Sequence, residues 1–318
     1  MGFRGAQRPR IAARDESVRV SAGAIAGLFP GQGSHTSDLR ERVERDAPAL
    51  MELATELVGD DPFERVGEST RFAQPAIYCA SMAGWARFQR SGLHSSARPI
   101  ALAGHSLGEL SALAAAGAIE PSCGLELAVL RGELMGTSEG GREQEGMLAV
   151  LRASDELPRL LAEEHGLALA NDNAPGQVVL AGTVHGLRDA ATAARAAGAR
   201  AIWLDVAGAF HSPAMAGAVE PFRAALGRIE LRDPVIPVIS SSTARPFEDI
   251  PAELAAAIVE PVRWRATMLA LAALGADTFV DVGPGEILAR LVQRNLPTAR
   301  VLDPILTSPA RKESSGVA

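Results

Sequence analysis

Lysine is nearly absent. Lys312 is the only one among 31 basic residues, so positive charge here is carried by arginine. Any contact with an anion therefore falls to a guanidinium, whose fork holds a carboxylate or phosphate through two hydrogen bonds. A basic excess is missing too: 38 acidic residues give a formal net charge of -7. That balance argues against a nucleic-acid partner, which needs a basic footprint. Cysteine is reduced to Cys79 and Cys123. Both sit in apolar, helix-like stretches without metal-ligand spacing, so they read as buried free thiols in a reducing cytoplasm. No run approaches the roughly 20 strongly apolar residues of a membrane span, and candidates such as Leu110–Ile119 are mostly small residues; no membrane partner is expected. Arg4, Arg8, Arg10 and Arg14 ahead of Val18–Phe29 imitate a secretory signal, but Asp15 and Glu16 interrupt the basic region. Internal repeats are lacking as well.

What the chain does have is length and an alternating texture. Its 318 residues, 47% of them hydrophobic, suit one large domain carrying a smaller one. Strand-like Gly23–Phe29, Pro99–Ala103, Pro237–Ile239 and Thr278–Val282 alternate with helix-like Gln74–Gln89, Leu107–Ala116, Ser122–Met135 and Trp264–Leu274. This predicts an α/β class with a mostly parallel sheet. Between Gly146 and Phe210 the order is strand Met147–Leu151, helix Glu156–His165, strand Gln177–Leu180, helix Gly186–Ala197 and strand Ala201–Val206. That β-α-β-α-β order predicts an inserted ferredoxin-like unit. The expected division is an N-terminal extension at 1–22, a hydrolase-like large subdomain at 23–146 and 211–307, a small subdomain at 147–210 and a flexible tail at 308–318.

Gly104-His105-Ser106-Leu107-Gly108 fits G-x-S-x-G, with the buried run Ile100-Ala101-Leu102-Ala103 before it and a Leu/Ala-rich helix after it. In such an elbow a sharp turn lifts the serine hydroxyl clear of the backbone at a helix N-terminus that favours developing negative charge. A plain strand-to-helix turn whose serine caps the helix is the other reading. Of the six histidines, His94, His165 and His185 lie in polar or charged surroundings and read as solvated. His105 is fixed beside the serine, pointing away from it, and His35 belongs to a nearby loop. His211 follows small residues and precedes Ser212-Pro213, and the order serine then histidine is that of the hydrolases. No third acidic member is evident; Asp205 is the nearby candidate, and a backbone carbonyl is the alternative orienter.

Several separated motifs then occur in order: Phe29-Pro30-Gly31-Gln32-Gly33-Ser34, Gln74-Pro75-Ala76, Gly104–Glu109, Arg131-Gly132 with Met135, Asn171–Val179, Gly208-Ala209-Phe210-His211-Ser212, Pro261-Val262-Arg263-Trp264 and Gly283-Pro284-Gly285. Together they resemble the malonyl-CoA:acyl carrier protein transacylases and the related acyltransferase domains of polyketide synthases, across nearly the whole folded chain. The resemblance implies a Ser106 acyl-enzyme, His211 as general base and then acid, and an oxyanion hole from the Gln32 and Leu107 amides. It implies a Ser/His dyad in which main-chain carbonyls orient the histidine. It also implies malonyl-CoA and a phosphopantetheinylated acyl carrier protein as partners, in fatty-acid or polyketide synthesis. The coenzyme A thioester is then substrate, with no other cofactor, no metal, and a monomer as the expected state.

Arg131 lies on a helix stripe with Gly124, Ala128 and Met135 that is otherwise small or apolar. Burying an unpaired guanidinium costs about several kcal/mol, so it needs a counter-charge. Glu109 is one source. The resemblance implies another, the free carboxylate of the acyl group, with Arg131, Met135, Asn173 and Phe210 as substrate-binding residues. Ala-Phe-His at 209–211 resembles the malonyl-selective form, because a phenyl ring fills the space of an α-methyl. One methyl is worth about 1–3 kcal/mol of discrimination. His35, Gly136 and Ala257 depart from the family pattern; Ala257 stands where a glutamine is usual, which is tolerable where only its carbonyl serves His211. Alternative readings are a trans-acting polyketide acyltransferase for methylmalonyl or a bulkier acyl unit, a proofreading hydrolase, and a silent carrier-docking module.

Overall fold

A computed structural model of the chain describes residues 23–91, 98–137, 145–206 and 208–302. The expected extension at 1–22 and tail at 308–318 lie outside them, as does His94. In chain order the elements are β1 (Ile25–Phe29), α1 (Leu39–Asp46), α2 (Pro48–Val58), α3 (Thr70–Arg90), β2 (Ala101–Gly104), α4 (Gly108–Ala115) and α5 (Pro121–Thr137). Next come β3 (Glu145–Leu151), α6 (Leu157–His165), β4 (Ala168–Ala174), β5 (Gln177–Thr183), α7 (Val184–Ala196) and β6 (Arg200–Trp203). The last are α8 (Ala216–Leu226), β7 (Val238–Ile239), α9 (Ile250–Ala256), α10 (Trp264–Ala273), β8 (Thr278–Asp281), α11 (Ile287–Asn295) and β9 (Arg300–Leu302).

Two sheets organise these elements. The larger is five-stranded in the order β7-β2-β1-β8-β9, and every pairing is parallel. Its central strands read Ile-Ala-Gly-Leu-Phe and Ala-Leu-Ala-Gly and are buried along their whole length. A strand covered on both faces needs such an unbroken apolar run rather than an alternating one. The register pairs Phe29 with Gly104 and Leu28 with Asp281. The segments leaving β1, β2 and β8 therefore emerge together at the carboxyl edge, where open α/β sheets place their sites. One face packs on α3, α4 and α5 around Tyr78, Trp85, Leu102 and Leu110. The other packs on α10 and α11 around Trp264, Phe279 and Leu288.

The smaller sheet runs β4-β5-β3-β6, all antiparallel, with α6 and α7 on it around Leu148, Leu161, Leu180 and Leu187. Its order is β-α-β-β-α-β, one strand more than the sequence predicts. The added strand, β4, reads Ala-Leu-Ala-Asn-Asp-Asn-Ala, a composition poor in strand formers. Tertiary contacts hold it: it pairs with β5 and is bonded to the large subdomain, Asp172 N–H donating to Val262 O and Val262 N–H to Ala170 O, each at 2.8 Å. In α3 the helix begins at Thr70, four residues before the expected start, and Pro75 lies inside it. Pro75 is the sixth residue of this helix, past the unbonded first turn, so α3 forgoes the hydrogen bond that an N–H at this position would donate to the carbonyl of Arg71.

Candidate active site

β2 ends at Gly104, and α4 begins at Gly108, with three residues between them. The turn between them is closed by Gly108 N–H donating to His105 O and Glu109 N–H to Ser106 O, both at 3.0 Å. It forces Ser106 to φ 54, left-handed backbone that costs a non-glycine residue about 1–3 kcal/mol and clusters at functional sites. The flanking glycines are sterically required. A Cβ on Gly104 would lie 1.9 Å from the Gly108 carbonyl carbon, and one on Gly108 would lie 2.0 Å from Phe29 O.

His211 reaches this serine from the far side of the sequence. Ser106 Oγ stands 2.7 Å from His211 Nε2, while His211 Nδ1 stands 2.9 Å from Ala257 O and 3.0 Å from Glu260 O. Two carbonyls can only accept, so Nδ1 carries the proton, and Nε2 presents its lone pair to the Ser106 hydroxyl. Burial pulls the imidazole down to about 3, and the nearby Arg131 charge adds to this. The ring is therefore neutral at physiological pH. Asp205 lines the same cavity, but Nδ1 is already satisfied by carbonyls, and among the described residues no carboxylate bonds His211. Ala257 contributes only its backbone. His211, like Ser106, has a positive φ, 57°.

Arg131, on α5, is 5% exposed. Its Nη1 donates to Gln74 Oε1 at 2.9 Å and its Nη2 to Ser106 Oγ at 3.0 Å. Gln74 is itself held by Nε2 donating to Met135 Sδ at 3.4 Å. Among the described residues no carboxylate oxygen comes within ion-pair distance of Arg131. Glu109, the protein counter-charge considered above, spends its Oε1 on Ser241 instead, accepting from the backbone N–H at 2.6 Å and the hydroxyl at 3.1 Å. Burial pulls Arg131 down to about 10, opposed by the Glu109 charge. The guanidinium stays cationic at neutral pH, buried, and bonded to the neutral Gln74 and Ser106.

Gln32 sits in the segment after β1, which lies close to the elbow: a Cβ on Gly31 would come 2.5 Å from His105 O. Its side-chain amide donates to Thr70 Oγ1 at 3.2 Å. Among the described residues neither the Gln32 nor the Leu107 backbone N–H is engaged by an acceptor. A cavity of about 660 Å³ joins these groups; Met135, Asn173 and Phe210 line it, as does His35. The Asn173 side-chain oxygen is 2.8 Å from His105 Nε2, and its carbonyl accepts from Asn295 Nδ2 at 2.9 Å. Asn173 thus fastens the elbow to β4 and α11 as well as facing the cavity. His185 is exposed beside Asp189, whereas His165 is half-buried, its Nε2 without a partner among the described residues, contrary to the solvated surroundings expected for it. Neither Gln74's bond to Arg131 nor the role of Glu260's carbonyl is legible in the sequence, since a backbone acceptor has no side-chain signature.

A serine on a strained strand-to-helix turn, bonded to a buried neutral histidine, is the arrangement of serine enzymes that form acyl intermediates. Residues 54–310 match the acyl transferase domain family, and the chain belongs to it. It is 36% identical over 305 residues to the malonyl CoA-acyl carrier protein transacylase of Bacillus subtilis, covering 88% of this chain and 94% of that protein. It is also 36% identical over 286 residues to the polyketide biosynthesis protein ThaF of Burkholderia thailandensis, covering 86% of this chain but only 24% of that longer protein. The crystal structure of an acyl-carrier-protein S-malonyltransferase from Burkholderia pseudomallei 1710b superposes with a TM-score of 0.82 at 30% identity, covering 90% of this chain and 97% of the other.

Proposed function

We propose that the chain moves malonyl from coenzyme A to the phosphopantetheine thiol of an acyl carrier protein, in fatty-acid or polyketide synthesis, through an acyl-enzyme on Ser106. The observation that carries the reading is Arg131: a buried cation bonded to the nucleophile and, among the described residues, without a carboxylate partner. An acyl group with a carboxylate at its far end supplies the missing charge and is thereby placed with its thioester at Ser106. An uncharged acyl chain would bury the guanidinium unpaired, which costs about several kcal/mol. Phe210 at the cavity wall favours an unbranched unit. The reading includes a monomer in the cytoplasm, without nucleic-acid or membrane partners and without a cofactor beyond the thioester substrate.

In the first half-reaction Ser106 Oγ attacks the thioester carbon as its proton passes to His211 Nε2. The oxyanion is received by the Gln32 and Leu107 amides, each such donor being worth about 3–4 kcal/mol. The C–S bond breaks, and His211 returns the proton to the departing thiolate. In the second half-reaction the carrier's thiol gives its proton to His211 and attacks the ester; Ser106 leaves as alkoxide and recovers the proton from Nε2. Nδ1 keeps its proton throughout, held between Ala257 O and Glu260 O, whose dipoles stabilise the transient imidazolium.

Intact-mass measurement tests this. Malonyl-CoA should add one malonyl group to the wild type and none to S106A, and holo carrier protein should take that group up. Release as free malonate with no acylated carrier would instead indicate a hydrolase.

A further inference from the structure

Glu109 is 2% exposed, lies three residues beyond Ser106, and is not used by the mechanism above. A buried carboxyl is expensive to keep, and burial pushes this one up to about 7. Its contacts lead to the base. Oε1 accepts from Ser241 N–H and Oγ–H, which fixes the segment leaving β7. Ser241 O in turn accepts from Arg263 N–H at 2.6 Å. Arg263 closes the 257–263 segment, whose Ala257 and Glu260 carbonyls hold His211 Nδ1. A closed circuit results: Ser106, Glu109, Ser241, Arg263, the carbonyl pair, His211, and back to Ser106 through the 2.7 Å contact.

We infer that Glu109 is a positioning residue for His211, tying the carbonyls that orient the base to the same turn that presents the nucleophile. Nucleophile and base come from segments 105 positions apart, and their approach must be held to about 0.5 Å to be productive. Any shift of the elbow is transmitted through Glu109 to the carbonyl pair, so serine and histidine move as one unit. The link acts through hydrogen bonds, and a neutral amide oxygen at the same place can accept both Ser241 donors. Glu109 does not act by pairing with Arg131, from which it stands beyond ion-pair distance.

The inference rests on the Ser106–His211 reading, and its test separates the two. Wild type, E109A and E109Q are assayed for the rate of Ser106 malonylation against malonyl-CoA concentration, with folding checked by circular dichroism. E109A should lower kcat about a hundredfold, the scale of a 1 Å misplacement, with KM within about threefold of wild type. E109Q should restore at least about a third of wild-type kcat. Unchanged kcat in E109A overturns the inference, as does an E109Q no better than E109A or a loss appearing in KM, which would mean that Glu109 acts by charge on Arg131. Should E109A fail to fold, S241A removes one of the two donors on a residue outside the cavity. A fall in kcat with KM unchanged then supports the link, and no fall overturns it. A wild type that takes no malonyl on Ser106 refutes the underlying reading instead.

Discussion

Arg131 Nη2 donates to Ser106 Oγ at 3.0 Å, so a buried cation of the cavity is bonded to the nucleophile itself. Its second donor goes to the neutral Gln74. On the proposed reading, the acyl group spans from Ser106 to the guanidinium beside it.

Replacing this arginine should be costly in a specific way. R131A is expected to lose about 2–5 kcal/mol in kcat/KM for malonyl-CoA, the range for truncating one member of a buried charge pair. R131K should recover little, because an ammonium cannot bond Gln74 and a carboxylate with one rigid fork. Steady-state kinetics on both variants decide it, and full activity in R131K would contradict the bidentate role.

The pH dependence follows from His211. Folded, it takes a proton only near 3 rather than at 6.5, so kcat/KM should stay level as pH falls from 8 through 6.5, with no acid limb in the ordinary histidine range. Between about 3 and 6.5 the unfolded chain binds more protons at this histidine than the folded one, so it makes stability decline as pH drops through that window. A limb centred at 6.5 would show that the ring is solvated.

Asp281, at the end of β8, gives a dependence of opposite sign. Its Oδ2 accepts from Ala289 N–H at 3.1 Å, its Oδ1 has no partner among the described residues, and burial pushes it up from 3.8 to about 7. Across that window the folded state binds more protons, so the aspartate's contribution falls as pH rises. D281N does not titrate, and its Tm relative to wild type should be higher at pH 8 than at pH 5. An equal offset at both would contradict the shift.

G104A and G108A should each destabilise by about 3 kcal/mol or more, beyond ordinary overpacking, because the clashing atoms are backbone. Chemical denaturation measures this, and near-wild-type stability would mean the elbow can relax.

Much of the site was legible because the elbow announces itself. Two small residues flanking a serine between a buried strand and an apolar helix have few other uses, and Arg131 stands out on a stripe of small residues. Harder to read was whatever lies in backbone or in tertiary pairing. β4 looks like a loop because Asn171, Asp172 and Asn173 are poor strand formers, yet β5 and Val262 hold it extended. α3 begins at Thr70, four residues before the expected Gln74, and runs on through Pro75. Asp205 is the one acidic residue near His211 in the sequence, but His211 Nδ1 faces the Ala257 and Glu260 carbonyls, and which carbonyls those are cannot be read from side-chain identity.

The most direct test compares acyl-enzyme formation from malonyl-CoA and acetyl-CoA on wild-type protein under identical conditions. Arg131 predicts malonylation of Ser106 favoured by at least about 2 kcal/mol in kcat/KM, roughly thirtyfold. Acetylation as fast as malonylation would contradict the claim that this site selects an acyl group by its far carboxylate.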